Sequence, residues 1–281
     1  MTVVKRSQLI ERVSESNRQA ADAWARWASH RSHVMAILRQ LPPDLCRLCI
    51  LGAGHLHDVV LPELAEQYRE IILADIDDRT VTAALTRTDA RVRDACRVMP
   101  STDLTGVLEQ LEEVQTGVAD ADQVISALAI HQTDLPGSPF DVTVSLGVLT
   151  QMLQAIVDAG FAPDEVPRVS LALRDKHLCD LVRLTRPGGR CVLVTDIVSS
   201  TTAPQLLHTT ETDLESEMGK LVAARNFFTG TNPYRIVAVL EKDPTLRDAV
   251  CDVRLLNPWL WAVTPDRHHL TCAILAVRRS R

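Results

Sequence analysis

The sequence predicts an α/β fold in which a mostly parallel sheet carries helices on both faces. Between residues 44 and 198, short apolar segments alternate with amphipathic helical patterns, as expected of successive strand–helix units. A glycine turn, G-A-G at 52–54, joins the first apolar segment to the next helix. The second apolar segment ends in acids, Asp75 and Asp77. Together these features favour a sheet whose strand ends form a binding cleft.

The length of the chain favours one core with helical additions. At 281 residues it is long for one simple domain and short for two full ones. With 46% hydrophobic and 23% charged residues, its composition is that of a globular protein. We therefore expect a single domain made of an N-terminal helical extension (1–43), a core (44–198), a helical insert (199–250) and closing strands (251–281).

The N-terminal extension is predicted to be helical over 5–40, because apolar residues recur there at spacings of three and four. Pro42 and Pro43 end this region. The core is then predicted to run strand 48–52, helix 59–70, strand 71–75, helix 79–88, short strand 90–95, a mostly helical stretch 101–132, strand 140–146, helices 149–160 and 168–185, and strand 190–198.

The alternation of strands and helices stops after residue 198. The insert is predicted to be helical over 205–228 and 235–250, with a turn at 229–233. Two strands, 251–256 and 270–277, are predicted to close the chain.

Charge and hydropathy limit the class of partner. A net charge of −6 and a pI near 5.8 disfavour a nucleic-acid partner, which needs a basic face. No apolar run approaches the roughly 18 residues that span a bilayer, so no membrane partner is expected. The N-terminus lacks a signal-peptide pattern, and the cytoplasm is the expected location. A small-molecule substrate is expected, and the sequence is compatible with a homo-oligomer.

The cysteines and histidines do not indicate a metal site. Cys46 and Cys49 form a C-x-x-C, but residues three apart in a strand face opposite sides, so we interpret them as apolar filler. His55 and His57 have a spacing seen in metal sites, yet no carboxylate-rich motif accompanies them. Three further histidines could be considered as additional metal ligands, but they too lack an accompanying carboxylate-rich motif. They are His131, His268 and His269. No metal is predicted.

Four stretches, in order, resemble the class I S-adenosylmethionine-dependent methyltransferases. They are "LGAG" at the first turn, the acid Asp75 after the second strand, "RDA" at 93–95, and "FDVTVSLGVL" followed by "LTRPGGRCVLVTD". The resemblance covers about residues 44–198, and the last two strands fit the closing hairpin of the family. It implies a Rossmann-like sheet of seven strands whose last strand is antiparallel, and S-adenosylmethionine as the cofactor.

The resemblance also implies which residues contact the cofactor. Asp75 would accept hydrogen bonds from the ribose hydroxyls, with Asp77 as a competitor for that role or as a helix cap. Asp94 would accept from the adenine amino group, and Ser145 and Leu146 would lie beneath the methionine portion. The full predicted set is Gly52, Ala53, Gly54, His55, Asp75, Ile76, Asp94, Ala95, Ser145 and Leu146.

Two positions depart from the family pattern. Ile50 stands where an acid often contacts the cofactor's amino group, and Leu56 stands at the third glycine. A non-catalytic binding or scaffold protein is therefore kept as an alternative. An NAD(P)-dependent oxidoreductase is the less favoured alternative. A dinucleotide would place its pyrophosphate on this turn, so the missing third glycine affects it more than S-adenosylmethionine, which has no phosphate.

Methyl transfer to an unidentified, small acceptor is the predicted reaction. It needs alignment of the acceptor and often a base. The sequence does not select the base: His55 is the weak candidate, with His208 and Glu211 suggested only by their location. Gln151 is expected to open the helix after the fourth strand and to face substrate.

Aromatic residues are concentrated outside the core. Seven of the ten lie there, and we expect them to form a cap over an apolar or aromatic substrate, or else to serve as ordinary packing. They are Trp24, Trp27, Phe227, Phe228, Tyr234, Trp259 and Trp261.

Overall fold

A computed structural model describes residues 8–42 and 44–280, and these contain one sheet of eight strands. The strands are β1 (Arg47–Leu51), β2 (Glu70–Ala74), β3 (Cys96–Val98), β4 (Phe140–Leu146), β5 (Thr185–Ser199), β6 (Val250–Leu255), β7 (Trp259–Thr264) and β8 (Arg267–Arg278). Their order is β3-β2-β1-β4-β5-β8-β6, and β7 also pairs with β8. Strands β1 to β5 are parallel and β8 is antiparallel to β5, which confirms the predicted Rossmann-like topology.

Twelve α-helices accompany the sheet in the described part of the chain. They are α1 (Gln8–Ala20), α2 (Ala28–Arg39), α3 (Leu61–Gln67), α4 (Asp78–Leu85), α5 (Ala90–Ala95), α6 (Leu108–Gln115), α7 (Ala121–Ile130), α8 (Val148–Asp158), α9 (Val166–Leu184), α10 (Leu214–Ala223), α11 (Pro233–Lys242) and α12 (Pro244–Arg247). Short 3-10 turns occur at Pro204–Leu207 and Glu211–Asp213. No described helix is both long and apolar enough to cross a bilayer.

Two apolar clusters cover the two faces of the sheet. In β1, Leu48 and Ile50 pack in the cluster that includes α2 to α5. Cys49 and Leu51 pack in the cluster that includes α6 to α9. Alternate residues of a strand face opposite sides, so β1 supplies both layers and is apolar from Leu48 to Leu51. The expectation of helices on both faces is confirmed.

The N-terminal extension forms two helices where the sequence predicted helix over 5–40. Helices α1 and α2 are separated by turns at 21–27, and residues 5–7 of that prediction lie outside the described residues. Helix α1 contacts α8, and α2 packs on β7. The extension therefore lies against the core, over the carboxyl ends of its strands.

The predicted strand at 90–95 is wrong, because these residues form helix α5. The side chain of Asp89 accepts a hydrogen bond from the Val92 backbone and caps that helix. Alanine and arginine are good helix formers, so local propensity agrees with the helix. The third strand is instead β3, three residues long, and it begins only at Cys96.

The closing region has one more strand than predicted. Strands β6 and β7 pair with the same strand, β8, and both run antiparallel to it. They are separated at residues 256–258, where Pro258 has no N–H to continue a ladder. They therefore occupy one edge position beside β8, so the seven positions that the resemblance implied are filled by eight strands.

The helices of the insert are shorter than predicted. Helix α10 ends at Ala223, and residues 224–228, expected to be helical, are not. Gly230 has a positive φ of 92°, and Pro233 then opens α11. A small apolar cluster joins the insert to β5 and β8 through Leu206, Leu214, Ile197 and Leu270. The insert is thus packed against the end of the sheet.

Candidate functional site

The glycine turn has the backbone that its sequence indicates. Gly52 has a φ of 80°, and a Cβ there would lie 2.8 Å from the Leu146 carbonyl oxygen. Gly54 has a φ of 45°. Leu56, at the position of the third glycine, also has a positive φ of 60°, a conformation that glycine adopts far more readily. The turn thus keeps its shape despite the leucine.

Asp75 directly follows β2 and lies beside this turn. Its Oδ2 accepts a hydrogen bond of 2.9 Å from the Gly54 N–H, and its Oδ1 accepts one of 2.9 Å from the Asp77 N–H. Burial raises the pKa of Asp75, and these backbone hydrogen bonds oppose that shift. Each carboxylate oxygen can accept more than one hydrogen bond, so the group could still receive ligand hydroxyls.

Asp77 occupies the N-cap position of α4, but its side chain makes no capping hydrogen bond to the backbone of that helix. Its Oδ2 accepts hydrogen bonds from Thr80 Oγ1 at 2.9 Å and from Asn17 Nδ2 at 3.3 Å. The second of these bonds ties α1 to the start of α4.

Asp94 and Ala95 do not lie where the resemblance implied, and this expectation is corrected. Both belong to α5, which precedes β3, whereas the cleft lies beyond the carboxyl ends of the strands. Asp94 is exposed, and neither residue lines a described cavity at the turn. The stretch after β3 lies at the cleft instead. There Thr102, Asp103 and Leu104 line a cavity of about 60 Å³ together with Asp75 and Ile76.

Ser145 and Leu146 end β4 and have different surroundings. Leu146 lines a cavity of about 50 Å³ next to Gly52, Gly54 and Asp75. Ser145 is buried, and its Oγ lies 2.8 Å from Nε2 of His177 on α9. Burial lowers the pKa of His177 to about 4, so this histidine is neutral. The side chain of Ser145 therefore bonds within the protein.

Of the predicted cofactor-site residues, Gly52, Gly54, His55, Asp75 and Leu146 line the 50 Å³ cavity. His55 Nε2 lies 2.7 Å from the carbonyl oxygen of Asn17 on α1. A carbonyl only accepts, so Nε2 carries the hydrogen in this contact. His55 and His57 stack with ring centroids 5.2 Å apart. Within residues 8–42 and 44–280, no group of three His, Cys, Asp or Glu side chains could hold a metal ion.

A larger cavity of about 640 Å³ adjoins the 50 Å³ cavity. It is formed by α8, the end of β5, the insert and the β7–β8 hairpin. Four residues line both cavities, namely Gly147, Gln151, Asp196 and Trp261. Gln151 does not open the helix after β4 as predicted, because α8 begins at Val148, but as the fourth residue of α8 it lines both cavities.

The aromatic residues outside the core are only partly gathered at this cavity. Phe227, Phe228 and Trp261 line it, and Trp27 meets Trp261 edge to face with centroids 4.7 Å apart. Trp259 is buried and donates to His30. Trp24 and Tyr234 are exposed. Three of the seven thus line the space that a cap was expected to cover.

Sequence reasoning missed a carboxylate–imidazole pair in the wall of the large cavity. Asp196 Oδ2 on β5 lies 3.0 Å from His269 Nδ1 on β8, and Asp196 Oδ1 accepts a 2.9 Å hydrogen bond from Thr271. The pair depends on antiparallel contact between β5 and β8. The only sequence signal was an acid near the end of a core strand.

Comparisons with known proteins identify the fold. No protein-family model matches the sequence, and no curated protein is significantly similar to it. Among solved structures, the proposed methyltransferase in complex with the Trm112 methyltransferase activator of Haloferax volcanii matches with a TM-score of 0.51. The identity is 13%, over 98% of this chain and 99% of that chain.

A second similar structure is the O-methyltransferase TomG of Streptomyces achromogenes, involved in tomaymycin synthesis and solved with S-adenosylmethionine. It has 13% identity and a TM-score of 0.47, over 99% of this chain and 93% of that one. At such identities the likeness concerns the fold. The chain has the Rossmann-like fold of class I S-adenosylmethionine-dependent methyltransferases.

Proposed function

We propose that this protein transfers a methyl group from S-adenosylmethionine to a small molecule bound in the 640 Å³ cavity. The observation that carries the proposal is the junction of the two cavities at Gly147, Gln151, Asp196 and Trp261. Ligands of open parallel sheets bind at the carboxyl ends of the strands, where this junction lies. A donor on one side and an acceptor on the other would meet there.

The residues at the glycine turn fit such a cofactor. Gly52 and Gly54 allow close approach of a ligand to the backbone, and Asp75 supplies a carboxylate beside them. Gly52, Gly54, His55, Asp75, Ile76 and Leu146 would hold the cofactor, with Thr102 to Leu104 taking the place predicted for Asp94 and Ala95. Ala53, the remaining residue of the turn in the predicted set, is buried in the apolar cluster that includes α2 to α5. When bound, S-adenosylmethionine would supply an electrophilic methyl group.

A buried donor at the junction also favours ligand binding. Trp261 Nε1 is buried and has no hydrogen-bond partner among the described residues. An unsatisfied buried N–H is costly, and a polar ligand atom would relieve that cost. Trp261 would therefore orient an acceptor as well as exclude water from it.

Helix α1 restricts access to the turn. The two cavities beside Asp75 measure only about 50 and 60 Å³, and Ile10 of α1 lines one of them. Small-molecule pockets commonly measure about 300 Å³ or more. We therefore expect α1 to shift when the cofactor enters.

Non-catalytic binding is the second candidate function. Ile50 is buried in the apolar layer that includes α2 to α5, so the acid frequent in the family has no counterpart there. A protein that has lost this contact could retain the fold and bind a ligand without turnover.

Calorimetric titration with S-adenosylhomocysteine, with NADH as the comparator, tests the proposal. We expect micromolar binding of S-adenosylhomocysteine and none of NADH. Asp75→Ala should abolish this binding, whereas Asp94→Ala should leave it unchanged. Binding of NADH alone would support an oxidoreductase, and binding of neither would favour the non-catalytic candidate.

A further inference from the structure

We propose that His269 is the general base of the methyl transfer and that its substrate is a phenolic hydroxyl bound in the 640 Å³ cavity. The proposal rests on the proposed function, since it names the base and the acceptor class for that reaction. It arises from the contact between β5 and β8, which brings Asp196 and His269 together in the cavity wall.

The hydrogen-bond pattern fixes the tautomer of His269. An ionised carboxylate only accepts, so Nδ1 donates its hydrogen to Asp196 Oδ2 over 3.0 Å. A neutral imidazole carries one N–H, which leaves the lone pair on Nε2. Among the described residues, no hydrogen bond engages Nε2. His269 therefore offers a proton acceptor on a ring that lines the cavity.

The other histidines that line the cavities at the cleft are less suited to this role. His55 uses Nε2 to hold the carbonyl of Asn17. His30 accepts from Trp259 Nε1 at Nδ1, and its Nε2 lies 3.0 Å from Asp58. His30 is also only 3% exposed. His269 alone of these three has a ring nitrogen without such a contact.

Asp196 acts as a positioning residue for His269. It is buried, and its second oxygen accepts from Thr271 Oγ1 at 2.9 Å, so the carboxylate is fixed from two positions on β8. A fixed negative charge at Nδ1 stabilises the imidazolium that forms when Nε2 takes a proton. The same residue lines the smaller cavity, so the base stands beside the place expected for the methyl donor.

The lining of the cavity favours a phenolic acceptor. Phe227, Phe228 and Trp261 offer aromatic faces and edges, on which an aromatic ring packs well. Phe228 and Trp261 also contact the ring of His269 edge to face, with centroids 5.8 and 6.0 Å away. A phenol packed among these rings would present its hydroxyl near the imidazole, and a phenol is acidic enough for imidazole to assist its ionisation.

The electrons and protons balance in this step. The phenolic O–H bond breaks and its proton goes to His269 Nε2. The electron pair left on oxygen forms the new O–CH3 bond, while the pair of the broken S–CH3 bond stays on sulfur. The imidazolium then releases its proton to solvent through the open cavity. No oxidant or metal is needed.

4-Nitrophenol tests the proposal directly, because its ionised form absorbs visible light. In the presence of S-adenosylhomocysteine, wild-type protein should bind 4-nitrophenol and increase its phenolate band. His269→Gln should lose that increase while still binding S-adenosylhomocysteine, and should methylate 4-nitrophenol at least about a hundredfold more slowly. His268→Gln is the matched control, because its side chain points to the opposite face of β8 and should leave both readouts unchanged.

Asp196→Asn provides a second variant of nearly unchanged size and should reduce the phenolate band without abolishing 4-nitrophenol binding. An undiminished band in His269→Gln would overturn the assignment of the base, and a wild type that does not bind 4-nitrophenol would overturn the phenolic acceptor. Failure of wild-type protein to bind S-adenosylhomocysteine would count instead against the proposed function.

Discussion

His55 Nε2 lies 2.7 Å from the carbonyl oxygen of Asn17, so the glycine turn holds the N-terminal helix that covers it. The side chain of Asn17 makes a second contact: its Nδ2 donates a hydrogen bond to Asp77 Oδ2 at 3.3 Å. The two contacts hold α1 beside the turn, and Ile10 of α1 lines the 60 Å³ cavity together with Asp75. Access to the cleft and the position of α1 are therefore linked.

Weakening these contacts should loosen α1 without unfolding the core. In His55→Ala with Asn17→Ala, we expect amide hydrogen exchange over 8–20 to accelerate by about tenfold, the equivalent of one or two weak hydrogen bonds. Exchange measured by mass spectrometry checks this, with α9 as the internal control. Unchanged exchange in α1 would show that these contacts do not hold it.

The two glycines of the turn should differ in their tolerance of a side chain. Gly52→Ala should destabilise the protein by about 3 kcal/mol, because the new Cβ would lie 2.9 Å from Val148 Cβ in addition to requiring a positive φ. Gly54→Ala should cost about 1 kcal/mol, because the nearest atom, Asn17 Oδ1, is 3.9 Å away. Urea denaturation of both variants measures the difference. Equal losses would contradict this account of the turn.

His177 should make the fold sensitive to acid. Burial lowers its pKa to about 4, whereas the unfolded chain takes up the proton near pH 6.5. Neutral His177 therefore contributes its full stabilisation at pH values above the pKa of the unfolded state. This stabilisation is lost as the pH falls toward the pKa of the folded state. Between about pH 7 and pH 5 the loss should reach about 2 kcal/mol.

His177→Gln isolates that contribution, because glutamine can still bond to Ser145 but does not titrate. The free energy of unfolding of this variant, from urea denaturation, should fall less steeply over the same pH range. Parallel curves for the two proteins would assign the acid sensitivity to other groups.

Phe228 should contribute to acceptor binding rather than to stability. Its ring is half-buried in the lining of the large cavity. Phe228→Ala should weaken binding of 4-nitrophenol by about fivefold, as expected for the loss of one aromatic contact. Tyr234→Ala, an exposed aromatic outside the cavity, serves as the control. Equal affinities in the two variants would remove Phe228 from the acceptor site.

The strand–helix order of the core could be predicted because each element has its own apolar period and its own stop signal. Pro42 and Gly160 mark boundaries near those observed, and R-P-G-G at 186–189 follows the end of α9 closely, although it forms the first part of β5 and not a turn before that strand. The prediction of a strand at 90–95 was wrong because a six-residue helix is too short to show the apolar periodicity of a helix. Its N-cap, Asp89, also lies outside the apolar pattern. Strand β7 was missed because Pro258 interrupts the run.

Residues next to the glycine turn could likewise be predicted, since the turn and Asp75 are joined by adjacent parallel strands. The pair of Asp196 and His269 could not. Its geometry depends on the register between β5 and β8, two strands separated by the whole insert. Local sequence patterns carry no information on that register.

The interruption between β6 and β7 also affects how this molecule meets others. The outer border of the sheet is broken at Pro258 and distorted at Asp252, which has a φ of 51° within β6. At the other border, β3 spans only three residues. Within the described residues, neither side presents the long, regular row of N–H and C=O groups on which a foreign strand could align. Short and irregular edge strands are a common means by which native sheets avoid edge-to-edge pairing with other chains.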